Sequence, residues 1–373
     1  MKNSIKLHDI AQALGVSAST VSRALNNHSR ISDSTKSKVL EQAKLLSYNA
    51  TSTARLRFAH KRFRIVVLCP YDIFFSSVIS GMKTVLNGKA GQLVDVDYHF
   101  FDVYDVVKQT NKLQLIHDDH SIDAVAIAPA HPYMLNPLIN KLVEHDKKVI
   151  TFNTDAPQSR RACYIGQNAA VAGRMAAHLA GSLVRGDEKI AIFNSFSVTS
   201  GLVERKHSFL EYLKSGDLHA DIVGPFEYYD TIESAQEIVM QVLKLNPSIK
   251  SIYANNMVGT IGCARAVRES GNQGKMCVVG FDDNAEIRDH MADHIISYTI
   301  LQEPITQGMD TIMTLLDWLV NDIAPESEMM YIPCSILMKA NMDYLPCGVA
   351  GRIGKTGHSS SEDSFAAPIV TCS

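Results

Sequence analysis

The chain has 373 residues, 46% of them hydrophobic and 20% charged, with a formal net charge of −3. That length exceeds what one hydrophobic core usually supports, and the composition excludes a disordered or fibrous protein, so two or three globular domains are expected. No apolar run approaches the roughly 20 residues of a membrane span, and the opening MKNSIKLHDIAQAL lacks a secretory signal's apolar stretch, so a cytoplasmic protein without a membrane partner is expected.

Charge is unevenly placed. Residues 1–64 hold 12 Lys and Arg against 3 Asp and Glu, whereas the remainder holds 24 against 36. A basic head on an acidic body points to a polyanion as the head's partner, although a solvated basic surface would carry the same charge. Seven cysteines, at 69, 163, 263, 277, 334, 347 and 372, are scattered and form no C-x-x-C pair. Reduced, mostly buried thiols are expected, with neither a disulfide framework nor a metal site.

The head reads as three short helices. Leu7, Ile10, Ala11 and Leu14 recur on one helical face, and Gly15 follows where a helix exit tolerates a left-handed residue. Ser17 is placed to cap a second helix whose inner face is Val21, Ala24 and Leu25. A third begins at Ser32, stapled by Ile31, and buries Val39, Ala43 and Leu46. Two helices across a glycine turn form a helix-turn-helix, although an ordinary three-helix bundle shares that periodicity. The outer side of the second helix carries Ala18, Ser19, Ser22 and Arg23, short side chains plus one long cation. Such a face can approach a major groove, where Arg23 would read guanine with two hydrogen bonds. Ser17, Thr20, Ser22, Asn26 and Arg30 suit phosphate contacts, which set register rather than sequence, and Lys6 is a further DNA-binding candidate.

The string from Ala11 to Asn26, ALGVSASTVSRALN in its core, resembles the head of the lactose-repressor (LacI) family of transcription regulators. The resemblance implies base reading by Ala18, Ser19 and Arg23, a further DNA contact at Arg30, and double-stranded operator DNA as partner. The following segment, Tyr48-Asn49-Ala50-Thr51-Ser52-Thr53-Ala54-Arg55-Leu56-Arg57, keeps the family's Ala-Arg pair. It replaces the usual Pro-Asn by Ala50-Thr51 and puts Arg57 where a leucine wedge is customary. Arg55, Leu56 and Arg57 are the hinge candidates for minor-groove contact; an arginine there favours a narrow A·T-rich groove over a kink.

From Arg64 onward, apolar runs at 65–69, 94–100, 124–128, 148–152, 189–193, 251–254 and 277–281 alternate with helical patterns. That alternation predicts doubly wound parallel α/β sheets, which bind ligands beyond the strand C-termini. Polar and aromatic residues gather at those ends: Asp72, Phe74 and Phe75; Asn153 and Asp155; Ser197 and Arg205; Asn255 and Asn256; Asp282 and Asp283; Gln302. Each alone could merely cap a turn; their recurrence at successive strand ends favours one shared site. Aromatic faces among amides and carboxylates suit a polyhydroxylated ring. This body is similar to the ribose-type periplasmic-binding-protein sensor of the same family. The similarity implies effector contacts by Asp72, Phe74, Phe75, Asn153, Arg205, Asn255, Asp282 and Gln302, with Asp155 taking over where Asn153 replaces the usual aspartate.

The expected organisation is a head at 1–48, a hinge at 49–63, a two-lobed body at 64–345 and a disordered tail at 346–373. Lobe 1 is expected at about 64–157 and 303–322, lobe 2 at about 158–302 and 323–345. His290 and His294 are four apart, but Met291 stands where a zinc protease needs glutamate, and the polar run 117–120 reads as a turn. No phosphate-binding loop or nucleophile elbow occurs, so no enzyme activity and no cofactor are expected. The reading is a homodimeric, effector-controlled repressor, with a sugar or sugar derivative as effector and a purine or other metabolite as the alternative. A transport solute-binding protein or a sugar-metabolising enzyme are the rival classes.

Overall fold

The computed structural model describes residues 6–25, 30–45, 62–102, 105–196, 198–215, 220–345 and 347. The expected DNA contacts Asn26, Arg55, Leu56 and Arg57, together with Ser197 and the tail beyond 347, lie outside the described residues.

The head comprises α1 (Leu7–Leu14), α2 (Ala18–Leu25) and α3 (Asp33–Leu45). Leu7, Ile10 and Ala11 from α1 meet Val21 and Ala24 from α2 and Val39 and Ala43 from α3 in one small core. Gly15 takes φ 64°, which allows the sharp exit from α1. Ser17 Oγ then accepts the Thr20 backbone N–H at 3.0 Å and so caps α2; Ser32 does the same for α3 through Thr35.

The body is two six-stranded sheets. In chain order its elements are β1 (Phe63–Pro70), α4 (Ile73–Leu86), β2 (Val94–Phe101), α5 (Val106–Asp118), β3 (Ala124–Ile127), α6 (Asn136–Glu144), β4 (Lys148–Phe152) and β5 (Cys163–Gln167). There follow α7 (Ala169–Ser182), β6 (Lys189–Ser195), α8 (Ser200–Ser215), β7 (Asp221–Tyr228), α9 (Ile232–Leu245), β8 (Ile249–Ala254) and α10 (Met257–Glu269). The remainder is β9 (Cys277–Phe281), α11 (Ala285–Ala292), β10 (Tyr298–Leu301), α12 (Pro304–Val320), β11 (Met329–Ile332) and β12 (Ser335–Leu337). Lobe 1 has strand order β11-β5-β4-β3-β1-β2 and lobe 2 has β12-β10-β9-β8-β6-β7. Every pairing is parallel except β10 with β12.

The continuous apolar runs follow from helices on both faces of each sheet. In β1, Ile65, Val67 and Cys69 pack in the same core as Val78 and Met82 of α4 and Ile312 and Leu315 of α12. Val66 and Leu68 point the other way, toward Leu113, Ile116, Ile139 and Leu142 of α5 and α6. In lobe 2, Ile190 and Ile192 join Ala176 and Phe209, whereas Ala191 and Phe193 join Val239 and Ile261. Helices α4 and α12 approach at two glycines. A Cβ on Gly308 would lie 1.8 Å from the Val78 carbonyl oxygen, and one on Gly81 would lie 2.0 Å from that of Ile305.

The expected lobe boundaries need correction. Residues 163–167 form β5, paired with β4 in the lobe 1 sheet, so lobe 1 runs past 157 to Gln167. Residues 329–332 form β11 on the outer side of β5, so lobe 1 also claims the first part of the stretch assigned to lobe 2 after 323. Only β12, beginning at Ser335, returns to lobe 2. The chain therefore crosses between lobes three times: after Gln167, around Gln302, and between Ile332 and Ser335.

Candidate functional site

The lobes face each other across a cavity of about 140 Å³ at the C-terminal ends of the strands. Asp72, Phe74, Phe75, Asn153, Arg205, Asp282 and Gln302, all expected from the sequence, line it together. Each is put there by a local device. After β1 the chain turns at Asp72, whose carboxylate accepts the Phe75 N–H at 2.8 Å and caps α4. That cap aims Phe74 and Phe75 into the interface, edge to face with centroids 5.5 Å apart. Asn153 and Asp282 follow β4 and β9 with φ of 59° and 73°, left-handed positions that Asn and Asp tolerate best among side-chain-bearing residues.

Arg205 is the centre of the polar wall. It is 5% exposed and lies over the Phe281 ring at 4.0 Å. Its Nη1 donates to the Asn255 carbonyl at 3.0 Å, and its Nη2 donates to the side-chain oxygens of Gln167, at 2.8 Å, and Gln302. Gln302 in turn donates from Nε2 to Asp282 Oδ1 at 2.7 Å. The guanidinium thus ties lobe 2 to two of the three crossings, and Gln167 Nε2 binds the Leu301 carbonyl at 3.0 Å between those crossings. Arg205 Nε finds no acceptor among the described residues, leaving a buried donor for a ligand oxygen.

Burial pushes the Asp282 carboxyl up to about 6, against the pull of Arg205 and the Gln302 hydrogen bond. Asp72 is exposed where it lines the cavity between the lobes, with protein packed around it. Desolvation there, joined by repulsion from Asp230, pushes it up to about 6 as well.

Two expected contacts do not join the cavity. Asp155 is bound by Arg161 through Nε at 2.5 Å and Nη2 at 2.6 Å, and accepts from Thr151 at 2.6 Å. Its carboxylate is consumed within lobe 1 and does not take over from Asn153. Asn255 is 1% exposed, its side-chain oxygen accepting from Ser195 N and Tyr228 OH; only its carbonyl reaches Arg205. Asp283, also at a strand end, is paired with Arg288. In their place Asp230 and Asn256 line the cavity, joined by Asn256 Nδ2 donating to Asp230 at 2.7 Å. Asp230 follows β7, a strand whose Gly224-Pro225 interruption hides it from a periodicity reading.

A second surface cavity, of about 570 Å³, lies among Phe63, His120, Asp123, His145, Lys147 and Trp318, at the opposite ends of the lobe 1 strands. Among the described residues no group of three or more His, Cys, Asp or Glu could hold a metal. No described helix is long and apolar enough to cross a membrane.

In the head, Ser17 and Thr20 share a hydrogen bond at the start of α2, and Ala18, Ser19, Ser22 and Arg23 follow in register. Lys6 is exposed at the N-cap of α1. The outer face of α2 is not open to solvent throughout. Ser22 donates to Asp317 Oδ1 on α12, and Arg30 pairs with Asp310 at 2.7 Å. Expected phosphate-contact residues are thus turned onto the body.

Comparison with known proteins bears on both parts. The description "Bacterial regulatory proteins, lacI family" matches residues 6–50, and "Periplasmic binding protein domain" matches residues 65–322. A D-ribose/D-allose-binding protein of Pseudomonas aeruginosa is 28% identical over 72% of this chain and 84% of its own length. A ribose operon repressor of Halalkalibacterium halodurans is 26% identical over 74% of this chain and 80% of its own. The crystal structure of a putative LacI transcriptional regulator from Bacteroides fragilis superposes with a TM-score of 0.70 at 19% identity, covering 77% of this chain and all of that one. With a helix-turn-helix head leading into a two-lobed periplasmic-binding-protein body, the chain belongs to the lacI family of bacterial regulatory proteins.

Proposed function

We propose that this regulator is a repressor whose effector is a sugar or sugar derivative, bound between the lobes by Asp72, Phe74, Phe75, Asn153, Arg205, Asp282 and Gln302. Asp230 and Asn256 join that set. The observation that carries the reading is the Arg205–Gln302–Asp282 chain of hydrogen bonds beside two aromatic rings. Rings cover the apolar faces of a pyranose or furanose, while carboxylates and amides accept and donate at its rim. Relatives named for ribose, allose and sucrose point the same way. A purine or other metabolite is the competing effector class.

On the DNA side, two heads of a homodimer read half-sites of a roughly palindromic operator, with Ala18, Ser19 and Arg23 at base edges and Lys6, Ser17 and Thr20 on phosphates. The effector acts by binding one lobe arrangement better than another, which shifts the head between DNA-competent and incompetent states. The protein works in the cytoplasm and performs no catalysis.

A thermal-shift panel of pentoses, hexoses, their phosphates and purines tests the effector class, since a ligand that binds only the native state raises its stability. A rise of several degrees confined to sugars is expected; one confined to purines overturns the assignment. Titrating fragments upstream of the gene at several salt concentrations tests the DNA side. Affinity should fall steeply with salt, and Arg23→Ala should level the difference between operator and scrambled duplex.

A further inference from the structure

We propose that the face of α12 bearing Asp310, Thr314 and Asp317 is a docking surface for the chain's own helix α2, and that a head seated there is withdrawn from DNA. The docking is intramolecular, and its regulatory meaning rests on the reading of α2 as the DNA-reading helix.

Three kinds of contact hold the head on the body. Ser22, 2% exposed, donates to Asp317 Oδ1 at 2.5 Å. Arg30 Nη1 lies 2.7 Å from Asp310 Oδ2, and Asp310 is 1% exposed. Ile323, just past the end of α12, packs against the apolar cluster of the head. Between these anchors Ser19 and Arg23 border a cavity of about 190 Å³ with Thr314, Asp317, Met330 and Tyr331. Buried carboxylates are costly without hydrogen-bonding or charged partners. Here the head supplies the Arg30 guanidinium to Asp310 and the Ser22 hydroxyl to Asp317, whose carboxylate also accepts from Asn321 Nδ2 at the end of α12 at 3.1 Å.

The partners are telling. A serine hydroxyl and an arginine are the groups a helix-turn-helix offers to phosphates, and a carboxylate presents them with a similar negative, acceptor-only surface. Two aspartates on one helix face, Asp310 and Asp317, therefore stand where a DNA backbone would compete for the same donors. A duplex cannot approach α2 on the side where Ser22 is covered. Docking and DNA binding are mutually exclusive.

Helix α12 also connects this surface with the ligand cavity. It starts directly after Gln302, and Gln307 on its first turns donates to the Gln302 carbonyl at 2.8 Å. Seventeen residues at about 1.5 Å each carry the helix from the cavity wall to the seat of the head. DNA affinity is divided by the fraction of molecules with a released head, so any ligand that moves α12 relative to the head changes it without touching α2.

The test uses the full-length chain with Ser22→Cys and Asp317→Cys together. Oxidation should join α2 to α12 within one chain, identified by peptide mass spectrometry and by migration as a monomer on a non-reducing gel. No bond at this position, or one only between two chains, overturns the docking, whatever DNA does. The joined form should bind a fluorescein-labelled 40-base-pair duplex of mixed sequence about 10-fold more weakly or worse, and reduction should restore binding; unchanged binding overturns the withdrawal. As a variant that adds no thiol, Asp310→Asn with Asp317→Asn should raise affinity about 3- to 10-fold. The pair Asp187→Asn with Asp221→Asn removes the same charge from exposed sites on lobe 2; an equal gain there overturns the proposal as a general electrostatic effect. If no form binds duplex yet the intrachain bond appears, the DNA-reading role of α2 fails while the docking stands.

Discussion

Arg205 on lobe 2 and Gln302 on the second crossing share a hydrogen bond from Nη2 to the side-chain oxygen, so the guanidinium in the cavity wall is also a strut of the hinge. The same nitrogen holds Gln167 on the first crossing. A lysine cannot serve these acceptors and the Asn255 carbonyl together, because its ammonium is a point charge without the planar fork. Arg205→Lys should therefore weaken the effector found in the thermal-shift panel by at least about 10-fold, read by isothermal titration calorimetry, with a native circular-dichroism spectrum. Affinity within twofold of the parent would remove Arg205 from the binding set.

Asp155 offers the converse case. Its bidentate pairing with Arg161 is largely buried, and removing one partner strands the other charge. Asp155→Ala should lower stability by about 3 kcal/mol or more in urea unfolding, while effector affinity stays within twofold. A selective loss of effector binding at unchanged stability would return this residue to the ligand site.

The contact of α4 with α12 leaves no room at Gly308, where an added Cβ would meet the backbone of Val78 rather than a side chain that can swing aside. Gly308→Ala should cost about 2–3 kcal/mol or more, despite alanine's better helix propensity. Urea melts of the variant beside an exposed helical control would decide; a stabilised variant would contradict the packing.

Asp72 makes a prediction in pH. Its carboxyl is pushed up to about 6 from an ordinary 3.8, with desolvation the first cause and Asp230 adding repulsion. Between those values the native chain holds a proton that the unfolded chain has released, so this group's contribution is full below about pH 4 and is lost as pH rises through 6. Asp72→Asn keeps an N-cap acceptor for Phe75 N and removes the ionisation. The variant should melt about 1–3 °C above the parent at pH 7.5, with the gap closing by pH 4. A gap independent of pH would refute the assignment.

Much of this architecture is legible in local sequence. Helix α2 and its cap are written in the spacing of Ser17, Val21 and Ala24, and the apolar runs mark β1, β3, β4, β6, β8 and β9 because both faces of those strands are buried. The lobe boundary is not local. Residues 163–167 could join either sheet, and only pairing with β4 places them in lobe 1. Cavity residues were readable where a strand end delivers them directly, as with Asp282 and Gln302. They were misread where a non-local partner intervenes: Arg161 claims Asp155, and Tyr228 with Ser195 turns the Asn255 amide inward. Asp230 was missed for the related reason that β7 is too broken in pattern to announce its own end.

Three passages of chain between the lobes have a mechanical consequence. Gln167 and Leu301 are hydrogen-bonded to each other, and Cys334 on the third passage lies beside Gln167, so the tethers are bundled rather than spread along the cleft. A bundle of three resists twist and sideways slip but yields to bending, as a door leaf turns on its pin. Opening and shutting is then the soft motion of the body. A long helix rooted beside that pin, as α12 is at Gln302, moves its far end through a larger arc than its base.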